Sequence, residues 1–183
     1  MALFEPVVQW VLYQEDDHRQ PGKIVNLGDG AGMTRLGITS NNFGAYVAPN
    51  FFTDMSFTAA VVQAKKVYRE HFWNLFHGDN IVANDCAAVL LSSSVNIRGG
   101  VSHSVKMLQQ VLGVEQDGIL GPKTVDELNS KDNRIVANMF RGAWENFYHE
   151  LVAMNPAKAQ FMDGWKARVW FPFPSDKVPD IYE

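Results

Sequence analysis

Glu15 is the residue in this 183-residue sequence best placed to move a proton. Phe4, Val7, Val8, Val11 and Leu12 recur at i, i+3, i+4, i+7 and i+8, the pattern of one buried helical face. Glu15 lies three residues past Leu12 and four past Val11, so it continues that face and points towards the interior or a cleft. The helix C-terminus, together with Asp16 and Asp17, disfavours a further negative charge and so favours the protonated carboxyl. A protonated carboxyl near neutral pH can act as a general acid. The competing reading is a solvated acidic helix end, with residues 15–17 paired to Arg19 or Lys23.

Other chemistries have less support. The five histidines, at positions 18, 71, 77, 103 and 149, show no HExxH or comparable metal-ligand spacing, and the sequence has no CxxC. No metal and no cofactor is expected. Neither G-x-S-x-G nor a phosphate-loop GK[ST] ending occurs, so Ser92, Ser93 and Ser94 read as an ordinary helix end. Carboxylates remain: Glu15, with Asp16, Asp17 and Asp29 nearby in sequence. Glycoside cleavage uses one carboxyl as proton donor and commonly a second as base or nucleophile. A hairpin returning past the first helix could bring Asp29 or Thr34 opposite Glu15, where a Thr34 hydroxyl could hold a water. Asp29 is equally a turn residue before Gly30, and Thr34 a plain strand residue.

These residues need elements to position them. Residues 16–38 are rich in Gly, Pro and Asp and predict a small hairpin, with extended pieces at Lys23-Ile24-Val25 and Thr34-Arg35-Leu36. Thr39, Ser40 and Asn41 offer N-caps for a short helix before Pro49. Apolar stripes predict helices over residues 56–76, 82–93, 101–112 and 135–152. A short helix carries Val125 and Leu128, and a last segment carries Phe161, Trp165 and Val169. The fold class expected is mainly α, with a small β-hairpin near the N-terminus and a helical C-terminal subdomain. Gly99-Gly100 marks the division into regions 1–98 and 99–170, and a Pro-rich tail, 171–183, reads as extended, packed on the surface or loose.

Composition narrows the function classes. A hydrophobic content of 46% supports one good core, and a net charge of -4 gives no footprint for nucleic acid or anionic membranes. No apolar run approaches the ~20 residues of a membrane span, so no membrane insertion is expected. The start, MALFEPVVQW, has no basic n-region, so the expectation is a chain made in the cytoplasm without a signal peptide. The one cysteine, Cys86, falls between Val82 and Val89 and reads as a buried small residue rather than a nucleophile.

Taken in order, three motifs resemble a known family. Glu15, then Asp29-Gly30-Ala31-Gly32-Met33-Thr34, then Gly37-Ile38-Thr39 are similar to the signature of the glycoside hydrolase family 108 N-acetylmuramidases. In that family a helix-ending Glu-Gly-Gly precedes Asp-Pro-Gly-Gly-x-Thr-x-x-Gly-Ile-Thr. Residues 108–113 and 117–124 resemble the family's C-terminal predicted peptidoglycan-binding region, and Gly164-Trp165-Lys166-Ala167-Arg168-Val169 resembles its closing G-W-x-x-R-V. The resemblance implies a lysozyme-like helical fold and cleavage of the β-1,4 bond between N-acetylmuramic acid and N-acetylglucosamine in peptidoglycan. It implies Glu15 as acid, Asp29 and Thr34 as its catalytic companions, and Asp16, Asp17, Gly32, Gly37 and Thr39 along the glycan. Apart from the resemblance, Trp73, Trp144 and Trp165 read more readily as core, with Trp73 the candidate aromatic face for a sugar ring. The implied settings are phage endolysin, secretion helper or antibacterial effector, acting in the periplasm or cell wall. The implied delivery partner is a holin or a secretion system, and an effector would have an immunity protein.

Two departures stand out. Asp16 and Asp17 replace the family's Gly-Gly, and Ala31 stands where a Gly is usual, crowding a backbone that would approach the glycan. A non-catalytic peptidoglycan-binding or assembly protein on the same scaffold is therefore the alternative. The stretch 117–124 carries turn chemistry, Asp-Gly then Gly-Pro, with Thr124 able to cap a helix. A structural role there competes with glycan contact.

Overall fold

A computed structural model describes residues 1–17, 19–26, 28, 30–174 and 178–182. It begins with α1, Phe4–Glu15, whose buried side chains are Val7, Val8, Trp10, Val11 and Leu12. Each such burial stabilises by about 1.5–3 kcal/mol over exposure, and together they fix where the helix stops. Glu15 is its last residue, and Asp16 already has extended backbone.

Three short antiparallel strands follow, in the order β1 (Val25–Asn26), β2 (Met33–Arg35) and β3 (Ile38–Thr39). The expected hairpin is present, with a third strand added at residues 38–39. Val25 pairs with Thr34, and Thr34 with Thr39. The chain then forms α2 (Ser40–Phe43), a 3-10 turn, and α3 (Phe57–Tyr68), which Ser56 caps by accepting from Ala59 N at 3.4 Å. The sequence predicts one helix to Phe76; instead α3 passes into a π-turn, Arg69–Trp73, and the chain turns before Gly78.

The central helix is α4, Asn84–Asn96. Every residue from 86 to 94 is buried, including Ser92, Ser93 and Ser94. A helix covered all round must have neighbours on all sides. Here they are α1, α5 (Gly100–Leu112), α7 (Asn133–Met154) and the π-turn at Arg69–Trp73. Gly113 takes left-handed backbone and ends α5, and α6 (Pro122–Ser130) starts with Pro at its first turn. A 3-10 turn at Pro156–Phe161 leads into α8, Met162–Val169. One hydrophobic cluster runs from Ala2 to Tyr182 through all these helices.

The tail docks rather than hangs free. Trp10 donates its indole N–H to Pro172 O at 2.7 Å, and the Phe171 ring stacks on Trp10 and on Tyr13. Tyr182 is buried and packs on Tyr13 and Phe57. Among the described residues no helix is long and apolar enough to cross a membrane.

Candidate active site

Glu15 does not point into open water: its side chain is 15% exposed. Three neighbours enclose it. The first is the turn Leu36-Gly37 between β2 and β3, with positive φ at both residues (51° and 73°), the two-residue hairpin geometry that matches strand twist. Gly37 is needed here for two reasons. Its φ disfavours any side chain, and a Cβ would lie 2.3 Å from the Tyr68 hydroxyl and 2.9 Å from Glu15 Cγ. The second neighbour is Tyr68, which donates to Leu36 O at 3.0 Å and so ties the turn to α3. Burial, then the nearby Glu15, pushes the Tyr68 hydroxyl well above the usual tyrosine range. The third neighbour is Arg168 on α8. Its guanidinium donates to Glu15 Oε1 and, at 3.3 Å, to Gln14 O, and its own side chain is also 15% exposed.

The loop after Glu15 is held by polar contacts. Asp16 accepts from Gly22 N with both carboxylate oxygens, at 2.9 Å each, and from the Tyr182 hydroxyl at 3.0 Å. Buried Arg35 donates to Gly22 O at 2.8 Å and Phe51 O at 2.9 Å. Asp16 therefore shapes the loop, replacing with side-chain bonds the freedom a glycine would have there. Asp17 is different. It accepts from Arg19 N at 3.0 Å and pairs with Lys23 at 3.5 Å, so the solvated reading describes it. The Arg19 N–H bond holds its carboxyl below the usual range, with help from the Lys23 charge and against an opposing effect of desolvation.

Thr34 and Thr39 stand opposite one another on β2 and β3, so their side chains share one face of the sheet. Thr39 precedes α2 but does not cap it through its side chain; its Oγ1 is buried without a hydrogen-bond partner among the described residues. Gly32 lets the loop close on α2: a Cβ there would meet Ser40 Oγ at 2.3 Å, and Ser40 Oγ accepts from Met33 N at 2.9 Å. Asp29 lies outside the described residues.

Trp73 needs correction as a sugar platform. It is fully buried, packs edge-on against Phe4 and Phe76, and donates its indole N–H to Asp79 at 2.9 Å. No sugar can reach it. Trp144 is likewise buried. Trp165 is half-buried and stacks on Tyr148, with ring centres 4.5 Å apart.

Among the described residues no group of three or more His, Cys, Asp or Glu is gathered to hold a metal. Cys86 is buried, donates to Asn133 O, and burial pushes its thiol up to about 12, so it is not a thiolate nucleophile near neutral pH. A cavity of about 390 Å³ beside His103, Lys106 and Gln110 lies on α5, and Glu15 is not among its lining residues.

The 117–124 stretch is structural in its internal bonding. Gln109, 1% exposed, donates to Asp117 Oδ1 at 2.6 Å, Ile119 O at 3.0 Å and Thr124 Oγ1 at 3.2 Å, and accepts from Gly118 N at 2.9 Å. Thr124 sits inside α6 rather than capping it; Pro122 opens the helix.

Arg168 lies inside the motif Gly164-Trp165-Lys166-Ala167-Arg168-Val169, yet nothing in that motif alone points to Glu15. An arginine three residues past a large aromatic on a short helix was the available signal. Its partner, 153 positions away, was not.

Three comparisons bear on this site. Residues 18–97 match the family described as Glycosyl hydrolase 108, and residues 103–169 match a Predicted Peptidoglycan domain. The structure of Brucella abortus SagA is similar, with a TM-score of 0.69 and 26% sequence identity, over 91% of this chain and 88% of that one. No curated protein matches in sequence. The mainly helical, lysozyme-like architecture and the two family matches in series support a glycoside hydrolase that acts on peptidoglycan. The chain therefore carries a match to the glycosyl hydrolase 108 family over residues 18–97, followed by a match to a predicted peptidoglycan domain over residues 103–169.

Proposed function

We propose that the protein is an N-acetylmuramidase that cleaves the β-1,4 bond between N-acetylmuramic acid and N-acetylglucosamine, with Glu15 as general acid. The observation that carries this reading is the placement of Glu15. It ends the buried helix α1, is 15% exposed, and lies against the hairpin turn at Gly37. An enclosed carboxyl of this kind can give its proton to a leaving-group oxygen. The C1–O bond breaks as that oxygen takes the proton. Water then adds to C1, its own proton leaving to a base. Asp29 is the candidate for that base, and the Thr34–Thr39 face is the candidate for holding the water. Gly37 lets the sheet approach the acid closely, and the Thr39 hydroxyl, enclosed and without a hydrogen-bond partner among the described residues, is a candidate to hold a water.

Residues 1–98 form the catalytic region in this reading, and residues 99–170 the region that grips peptidoglycan. The site of action is the cell wall or periplasm, reached as an endolysin, a secretion helper or an antibacterial effector through a holin or secretion route.

The alternative, a non-catalytic wall-binding protein on the same scaffold, is favoured by one observation. Asp16 replaces the family's Gly and is fully engaged within the loop. Mass spectrometry of purified sacculi after digestion separates the two. The catalytic reading expects muropeptides with new N-acetylmuramic acid reducing ends. It also expects Glu15→Gln to lower their release by about 10²–10⁴-fold with the thermal melt kept. Undiminished release by that variant rejects Glu15. Wall binding by the wild type without any soluble product rejects the enzyme.

A further inference from the structure

We infer that Arg168, contributed by the C-terminal region, is a positioning residue of the active site that fixes which oxygen of Glu15 carries the catalytic proton. The inference rests on the proposal that Glu15 is the general acid.

The geometry is more built than a surface ion pair. Arg168 spans two acceptors, Glu15 Oε1 and Gln14 O, so its planar fork reads both the side chain of one residue and the backbone of the one before it. Gln14 is itself secured, since its side-chain Oε1 accepts from Ser92 of the central helix at 3.3 Å. With each partner 15% exposed, water and salt screen this contact less than an exposed pair.

The helix that carries Arg168 is held independently. Arg141 on α7 donates to Val169 O and to Phe171 O. Trp165 stacks on Tyr148 of α7, Trp170 donates to Glu145 at 2.6 Å, and Lys166 pairs with Glu145 at 2.9 Å. Arg168 therefore arrives at Glu15 on a braced support rather than at the end of a loose chain.

The chemical consequence follows from the hydrogen-bond inventory. A guanidinium has donors only, so the oxygen facing it must accept. Oε1 does so whether Glu15 is a carboxylate or a neutral carboxyl. The catalytic proton is then assigned to Oε2, since turning the carboxyl to bring it to Oε1 would cost the bond to Arg168. Fixing a reacting group in this way is worth rate: a misplacement of about 1 Å costs on the order of 10²-fold. The acid lies three residues ahead of the stretch matched as Glycosyl hydrolase 108, and its orienting arginine lies within the stretch matched as a peptidoglycan domain, so catalysis in this reading needs both ends of the chain.

The test uses the full chain with Arg168→Ala and Arg168→Lys, reading kcat and KM for muropeptide release separately and monitoring folding by circular dichroism. Arg168→Ala is expected to lower kcat about 10–100-fold with KM nearly unchanged. Methylguanidinium, kept below denaturing concentration, is expected to restore part of that kcat while leaving Glu15→Gln inactive. Arg168→Lys keeps the charge without the fork and is expected to fall between wild type and Arg168→Ala. An unchanged kcat in Arg168→Ala overturns the inference. So does a loss that tracks the unfolded fraction and ignores methylguanidinium. Both of those leave Glu15 standing as the acid. A wild type that releases no muropeptide instead removes the acid assignment, and this inference with it.

Discussion

Two glycine-bearing connections in this protein look alike in sequence and are bonded in opposite ways. The one at 113–122 closes on itself: a single buried amide, Gln109, binds Asp117, Gly118, Ile119 and Thr124. The one at 16–39 leaves polar groups for something else. Its acid at Glu15 is met by an arginine from the far end of the chain, and its Thr39 hydroxyl is buried without a partner among the described residues. Turn chemistry alone does not separate scaffold from site. Saturation of the hydrogen bonds does, because a chain that meets all its own polar groups has nothing left to offer a ligand.

The strongest way to break this comparison after Glu15→Gln is Gly37→Ala. The new Cβ would collide with the Tyr68 hydroxyl and the Glu15 stem at a φ of 73°. Relief requires moving the acid, the tyrosine or the turn. The expected cost is about 1–3 kcal/mol of stability together with a fall in muropeptide release per folded molecule. Denaturant melts and sacculus digestion measure the two separately. Retained activity in a correctly folded Gly37→Ala would mean that the hairpin's approach to Glu15 has no catalytic use.

Gln109→Ala is the matching change in the closed loop. It strips several bonds at once and leaves Asp117, Ile119 O and Thr124 short of a partner. A loss of about 1–3 kcal/mol in unfolding free energy is expected. Release of muropeptides per folded molecule should stay near wild type, because no bond in that loop reaches Glu15. A specific loss of turnover in a stable Gln109→Ala would show that the closed loop is also part of the site.

Local pattern carried much of this fold, and long-range pairing carried the rest. The stripe Phe4, Val7, Val8, Val11, Leu12 sets α1 and the inward aim of Glu15, because spacings of three and four residues are visible in any window. The third strand, Ile38–Thr39, is too short to show an alternation. Trp73 was misread for a physical reason: it is absent from the stripe of Phe57, Ala60, Val61, Ala64, Tyr68 and Phe72. The π-turn at Arg69–Trp73 inserts an extra residue into the helical repeat and rotates Trp73 inwards. The contacts of Glu15 with Arg168 and of Asp16 with Tyr182 join positions more than 150 apart, beyond any periodicity. Asp16 illustrates this well, since an aspartate in a glycine's place looks disruptive until the tail tyrosine that binds it is seen.

The smallest expected change in stability is also the one that distinguishes the two loops most finely. Thr39→Val keeps the shape of the side chain and removes only the hydroxyl that lacks a partner. Deleting a hydroxyl that makes a bond in the folded protein normally destabilises; deleting one that is buried and unpaired removes a desolvation penalty of about 1–3 kcal/mol. Thr39→Val should therefore melt at or above the wild-type temperature. Its release of muropeptides should fall all the same, since the enclosed hydroxyl of Thr39, opposite Thr34 across the sheet, is the group proposed to hold a water. Stability and activity would then move in opposite directions at one position, the mark of a residue kept for the ligand rather than for the fold. A valine variant that melts lower would show that Oγ1 has a bond in solution, and one that digests sacculi at the wild-type rate would remove Thr39 from the site.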